Sequence, residues 1–281
     1  MSVKIVVDSS ADLAKRIRDQ FTVVPLSIFF DGEEYIDGVT ISHEEFYQKL
    51  VECDTLPTTS QASPGQFMEA FQSLVDEGHD VVCITVSGKL SGTAQSASIA
   101  AQDFPGRVFV VDSNTIAIGS GILAEYALGL AEKGLSALEI AVAVEREREN
   151  VRLIAMVDTL EYLQKGGRLS KAAAIAGGIL SIKPVLAIEE GVIKILGKAR
   201  GSKQGNNLLV QKINEAGGVD FEKPVLLGYT GLTDVYLKKY IKDSSYLWED
   251  RKDDLEYELI GSVVGTHAGP GAIAAAFFAK E

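Results

Sequence analysis

Two adjoining segments, Val81-Val82-Cys83-Ile84-Thr85-Val86 and Ser87-Gly88-Lys89-Leu90-Ser91-Gly92-Thr93, decide how this chain is read. The first is a short apolar run without polar alternation, the pattern of a buried strand. The second is a loop of small hydroxyl residues that opens a helix from Ser91. Working outward, the unit recurs. Val3–Val7 leads into Asp8-Ser9-Ser10-Ala11-Asp12 and a helix to about Gln20, and Val108–Val111 leads into Asp112-Ser113-Asn114-Thr115 and a helix from about Ile118. Alternation of this kind predicts a largely parallel sheet flanked by helices.

Local signals fill in the rest. Asp31-Gly32 lies between Phe21–Phe30 and Glu33–Ile36 as a hairpin turn. Ser42 with Glu45 and Ser136 with Glu139 are capping boxes, and Pro64 stands where a first-turn proline belongs. The pattern changes near Asn150. After Val151–Val157 come a short helix, the Gly166-Gly167 break and an Ala-rich helix over Lys171–Leu180. Lys183–Ile188 and Val192–Ala199 then flank Glu189-Glu190-Gly191 as an antiparallel hairpin. The expected fold is α/β in two domains: residues 1–150 with the mostly parallel sheet, and residues 151–281 with a mixed or antiparallel one.

The chain has 281 residues, 39 acidic against 27 basic, and a formal charge of -12. Such a field repels nucleic acid and anionic bilayers, leaving at most transient membrane contact. The two cysteines, Cys53 and Cys83, form no CxxC pair, and His43, His79 and His267 are far apart, so neither a disulfide framework nor a metal site is expected. A strand pattern beginning at Val3 argues against a signal peptide, and no apolar stretch is long enough to span a bilayer. The expectation is a cytoplasmic protein.

Three hydroxyl-rich segments sit at strand-to-helix junctions: Pro57–Pro64, Ser87–Thr93 and Asp112–Thr115. In an open α/β sheet, ligands bind beyond the carboxyl ends of the strands, where helix N–H groups and hydroxyls hold an anion without formal positive charge. Each Ser or Thr alone also reads as a helix cap worth about 1 kcal/mol. Gly265-Thr266-His267-Ala268-Gly269-Pro270-Gly271 offers a histidine among glycines that permit close backbone approach, or simply a packed histidine in a tight turn. His43 and His79 read as surface residues. Gly119-Ser120-Gly121-Ile122-Leu123-Ala124 matches a dinucleotide pattern but begins too far from the strand end. Alternation along Val192–Ala199 places Lys194 and Lys198 on one face with Arg200 at the strand's end, and Arg168 reads as a clamp on carbonyls or a carboxylate.

Taken in order, Asp8–Leu13, Pro57–Gln61, Leu90–Thr93 with Gln95–Ala97, Val111–Ser113, Asp158–Leu163, Lys165–Ser170, Lys183–Leu186 and Gly265–Gly271 resemble the DegV family of bacterial fatty-acid-binding proteins. The resemblance covers nearly the whole chain. It implies a two-domain α/β protein that buries a long-chain fatty acid. It also implies a role as the acyl-carrier subunit of a bacterial fatty acid kinase, presenting the carboxylate to an ATP-binding partner and carrying the acyl phosphate onward to phospholipid synthesis. On this basis Thr59 and Ser91 hold the carboxylate with His267 nearby, and Ser60 and Thr93 are secondary candidates. Arg200, with Lys198 and Lys194, faces the kinase. No metal or cofactor is implied beyond the lipid, and the subunit has no catalysis of its own. The chain departs from the family pattern at Gly88, Ala94 and Ala62, which stand where a serine, an aromatic and a proline are common.

Physical chemistry agrees with the resemblance. A carboxylate taken from water needs two or three donors or a proton, and the apolar helices around Ile116–Leu130 and Ala172–Leu180 suit the walls of a tunnel. The competing reading is a self-contained acyl or phosphoryl transferase or hydrolase using Ser91 and His267.

Overall fold

The structure, a computed structural model, describes residues 2–169, 182–248, 251 and 255–280. The expected Lys171–Leu180 helix lies outside them. In chain order the strands are β1 (Val3–Asp8), β2 (Thr22–Val24), β3 (Ser27–Phe30), β4 (Glu33–Ile36), β5 (Thr58–Ser60), β6 (Asp80–Thr85), β7 (Val108–Asp112), β8 (Val151–Met156), β9 (Ile182–Glu189), β10 (Val192–Arg200), β11 (Leu226–Tyr229), β12 (Tyr257–Leu259) and β13 (Ile273–Phe278). The α-helices are α1 (His43–Glu52), α2 (Pro64–Asp76), α3 (Thr93–Ala101), α4 (Ala117–Glu132), α5 (Ala137–Glu147), α6 (Glu161–Lys165), α7 (Gly201–Glu215), α8 (Val235–Asp243) and α9 (Ser262–Ala268).

The first sheet, β2-β1-β6-β7, is parallel throughout. A small antiparallel sheet, β4-β3-β5, lies beside it. The third, β10-β9-β8-β13-β11-β12, is antiparallel except for its β11–β12 pair, and all its strands follow Asn150. Helix α4 joins the two large sheets: Ile118, Ile122 and Leu123 share one core with Val7 and Ile84 on one side and Leu153 and Ala274 on the other. Gly121 makes this fit possible. A Cβ there would lie 2.0 Å from the Asp12 carbonyl oxygen, so the apparent dinucleotide glycines are packing glycines.

Turn chemistry and caps behave as their residues dictate. Asp31 and Gly32 take positive φ (48° and 88°) in the β3–β4 turn, and Glu190 and Gly191 (49° and 74°) do so in the β9–β10 turn. Both expected capping boxes form, a third forms at Ser63 and Gln66, and Pro64 opens α2. The segment after β1 differs from expectation. It has no α-helix, only turns and a short 3-10 helix at Arg18–Gln20. Its acidic side chains are committed elsewhere: Asp8 accepts from the Ser10 and Val86 N–H groups at 3.0 and 2.7 Å, and Asp12 from the Gly261 N–H at 2.7 Å. Local and remote side-chain bonds outcompete the helix.

Asp8, Asp12 and Asp37 are all buried, and burial raises the pKa of each carboxyl. His43, expected on the surface, turns its ring toward Asp37, with Nε2 3.6 Å from Oδ1. A carboxyl with a raised folded pKa binds protons in the folded state at pH values where the unfolded chain has lost them, so stability rises as pH falls through that window. Asp12→Asn removes one such group. In thermal unfolding between pH 7.5 and 5, wild type should gain stability on acidification relative to Asp12→Asn; parallel pH profiles would contradict this assignment.

Candidate functional site

The loops after β1 and β6, strand β5 and helix α9 converge on a cavity of about 90 Å³. Its polar side is Ser10, Thr59, Ser60, Gln61, Ser91 and His267; Leu26, Leu90, Ile116, Leu163, Ile193 and Val264 are among its apolar walls. Strand register aims Thr59 inward. It pairs with the fully buried Ile28 on β3, whereas Thr58 and Ser60 are exposed, Ser60 at the rim.

Ser91 is placed by a turn in which the Leu90 and Ser91 N–H groups both donate to the Ser87 carbonyl, at 3.0 and 3.1 Å. Its hydroxyl pairs with that of Thr93 at 2.9 Å and accepts from the Thr93 N–H at 3.3 Å. Thr93 itself is fully buried and does not line the cavity, so it positions Ser91. Gln61 reaches across to donate to the Ser96 hydroxyl at 3.0 Å. Gly92 leaves room for it, since a Cβ there would sit 1.9 Å from Gln61 Oε1. The same loop is fixed from the β9–β10 turn: the Ser87 hydroxyl donates to the Gly191 carbonyl at 2.8 Å and Lys89 to that of Glu190 at 2.7 Å.

His267 lies in the last turn of a helix, not in an open glycine turn. Gly265 serves the packing of that helix, since a Cβ there would come within 2.4 Å of the Tyr47 hydroxyl. The His267 Nε2 is 3.0 Å from Thr59 Oγ1 across 208 positions of sequence. Nδ1 is buried and has no partner among the described residues. Burial, and then the nearby Arg168 charge, lower the imidazole pKa to about 4, so the ring is neutral at physiological pH. Arg168 lines the same cavity and is held by the Leu90 and Gly166 carbonyls at 3.3 and 2.7 Å, as a clamp on carbonyls should be. Among the described residues no carboxylate lines the cavity and no cluster is suited to a metal. Hydroxyls, a neutral imidazole and one guanidinium make it an acceptor and anion site backed by apolar walls.

Other expectations change. The third hydroxyl loop turns away from the cavity: Ser113 is buried and bonds the Ser120 hydroxyl at 3.0 Å and the Thr115 carbonyl at 3.1 Å. Of Ile116–Leu130 only Ile116 lines the cavity, the rest of that stretch contributing to the shared core and its margins. The Ala172–Leu180 wall lies outside the described residues. A bulge between Ile195 and Gly197 breaks the alternation of β10. Lys194 therefore pairs with Ala187 and Lys198 with Pro184, an odd separation that puts the two lysines on opposite faces of the sheet. Both remain exposed, as does Arg200 at the strand's end. Sequence reasoning missed Ser10 and Gln61 as cavity residues. The rule that singled out the loop after β6 applies equally to Ser10 after β1.

Comparison with known proteins now settles the family. A family model described as "Uncharacterised protein, DegV family" matches residues 2–280. A DegV domain-containing protein of Caldanaerobacter subterraneus subsp. tengcongensis is 36% identical, over 99% of each chain. The chain belongs to the DegV family. It is similar to a DegV family protein from Thermus thermophilus described for its fatty acid binding, with 33% identity, TM-score 0.87, and 99% and 100% of the two chains covered. It is also similar to a stearic-acid-binding protein from Eubacterium ventriosum, with 31% identity, TM-score 0.85 and 98% of each chain covered. Among the described residues no helix is long and apolar enough to cross a membrane.

The neutral His267 makes a prediction. Its folded pKa of about 4 lies below the ordinary 6.5, so the unfolded state binds the proton first and stability is lost as pH falls from about 6.5 toward 4. His267→Gln should lose less stability than wild type across that window. A folded-state NMR titration of the ring near pH 6.5 would contradict the burial argument.

Proposed function

We propose that this chain binds a long-chain fatty acid with its carboxylate at Thr59 and Ser91 and presents it to a partner ATP-dependent fatty acid kinase. The observation that carries the reading is the half-buried hydroxyl pair Thr59 and Ser91, closed by His267 and backed by apolar walls; the fatty acids bound by similar proteins support it. With the neutral His267 ring protonated at Nε2, the imidazole donates to Thr59 Oγ1 and frees the threonine hydroxyl hydrogen for a carboxylate oxygen. Ser91 supplies a second donor, so an anion is held without a buried lysine.

The acyl chain requires more room than the cavity of about 90 Å³, since a void of about 150 Å³ takes a single benzene ring. An adjoining cavity of about 310 Å³ shares Leu90, Arg168 and Ile193 with it and offers a continuation. Binding parts these apolar walls around the chain.

Arg200 stands seven residues beyond Ile193 on β10, about 23 Å away at roughly 3.3 Å per residue, and is exposed; under this reading its part is docking to the kinase. Under this reading residues 1–150 and 151–281 work as two domains that meet at the head group, and the acyl phosphate formed there leaves with this carrier toward phospholipid synthesis. The self-contained hydrolase gains no support from the geometry. Ser91 bonds Thr93 and not His267, and among the described residues no carboxylate orients the imidazole.

Palmitate titration tests the reading. Thr59→Ala and Ser91→Ala should each weaken binding by about 1.5–3 kcal/mol, roughly 10- to 150-fold, with the fold intact. Arg200→Ala should bind palmitate normally, with the bound acid phosphorylated slowly by the kinase. Unchanged affinity in both pocket variants removes the head-group assignment; a normal rate of palmitate phosphorylation on Arg200→Ala removes the docking role.

A further inference from the structure

We propose that Gly166 is a positioning residue for His267, its missing side chain being what seats the imidazole against Thr59. The proposal rests on the fatty-acid reading above. A ring held by one hydrogen bond is free to pivot about it, and among the described residues the second nitrogen has no partner to stop it. The stop is steric. A Cβ at Gly166 would lie 2.2 Å from His267 Nδ1 and 3.0 Å from Cε1, so the bare backbone of residue 166 is itself the surface on which the ring rests.

Backbone conformation gives no other reason for this glycine. Gly166 has φ -73° and ψ -5°, which any residue adopts, whereas Gly167 has φ +74° and nothing within 4 Å of a Cβ. Gly167 is there for its turn and Gly166 for the space it leaves. The residue is also fixed: its N–H donates to the Tyr162 carbonyl at 2.8 Å, and its carbonyl accepts from Arg168 at 2.7 Å.

A second close approach holds α6 against α9. A Cβ at Gly269 would fall 2.3 Å from Tyr162 Cδ2, so the tyrosine ring packs directly on the end of the helix that carries His267. Gly166 and Gly269, one at the end of each helix, thus interlock the two elements, each leaving room for an aromatic ring of the other.

The test compares palmitate with hexadecanol, which has the same chain and no carboxylate. The φ and ψ of residue 166 suit alanine, whose Cβ would also meet the Tyr162 carbonyl oxygen at 3.0 Å, and Gly166→Ala should stay folded. It should lose at least tenfold in palmitate affinity with less than twofold change for hexadecanol, and the His267 titration should move up from about 4 toward 6.5. Unchanged palmitate binding, or equal loss for both ligands, overturns the proposal. Should Gly166→Ala fail to fold, Tyr162→Ala decides: loss confined to palmitate supports the interlock and equal loss overturns it. A wild-type chain that takes up neither ligand removes the fatty-acid reading, and this one with it.

Discussion

Helix α9 is pinned to the N-terminal half of the chain at both ends, and the site depends on that attachment. At its start the Gly261 N–H donates to the Asp12 carboxylate at 2.7 Å, joining positions 249 residues apart. In its last turn His267 meets Thr59. Between the two, Gly265 lets the helix settle on Phe46 and Tyr47, and the Tyr47 hydroxyl donates to the Ile260 carbonyl at 2.8 Å. Thr59 on β5 and His267 on α9 are far apart in sequence, and these attachments bring them together. A buried carboxylate is a costly fastener, which the raised pKa of Asp12 records, but it satisfies a helix N–H that would otherwise be buried unpaired.

The same economy of charge governs the cavity. The chain carries a formal charge of -12, yet its acidic groups are turned away from this site: Asp8 to the β1 and β6 loops, Asp12 to α9, Asp37 to His43. What remains around the cavity is hydroxyl, amide and neutral imidazole, with Arg168 as its cation. An anion placed there meets donors at fixed positions and little opposing charge at short range.

How much of this was legible in sequence follows from how local each cause is. The unbroken apolar runs of β1, β6 and β7, the capping boxes and the turns at Asp31-Gly32 and Glu190-Gly191 depend on a few neighbouring residues, and they form as read. The segment after β1 has the local pattern of a helix, but Asp8 and Asp12 are bound to Val86 and Gly261, far away in sequence, and no α-helix forms. Helix α9 was hidden by glycines whose purpose is contact with Tyr47 and Tyr162. The bulge in β10 has no sequence signal beyond Gly197, so the lysines were placed on one face. At the site, Thr59, Ser91 and His267 stood out by residue type and position. Ser10 and Gln61 did not, because their part depends on which loops the sheet brings side by side.

Native mass spectrometry of the chain purified from a bacterial host without added lipid tests the central claim most directly. Burying some fourteen methylenes contributes on the order of 11 kcal/mol at about 0.8 kcal/mol each. After chain ordering and head-group desolvation this is still consistent with a dissociation constant below about a micromolar. The account predicts a mass shift of about one long-chain fatty acid per polypeptide, released by organic extraction. A chain that is empty and takes up neither palmitate nor oleate would contradict it.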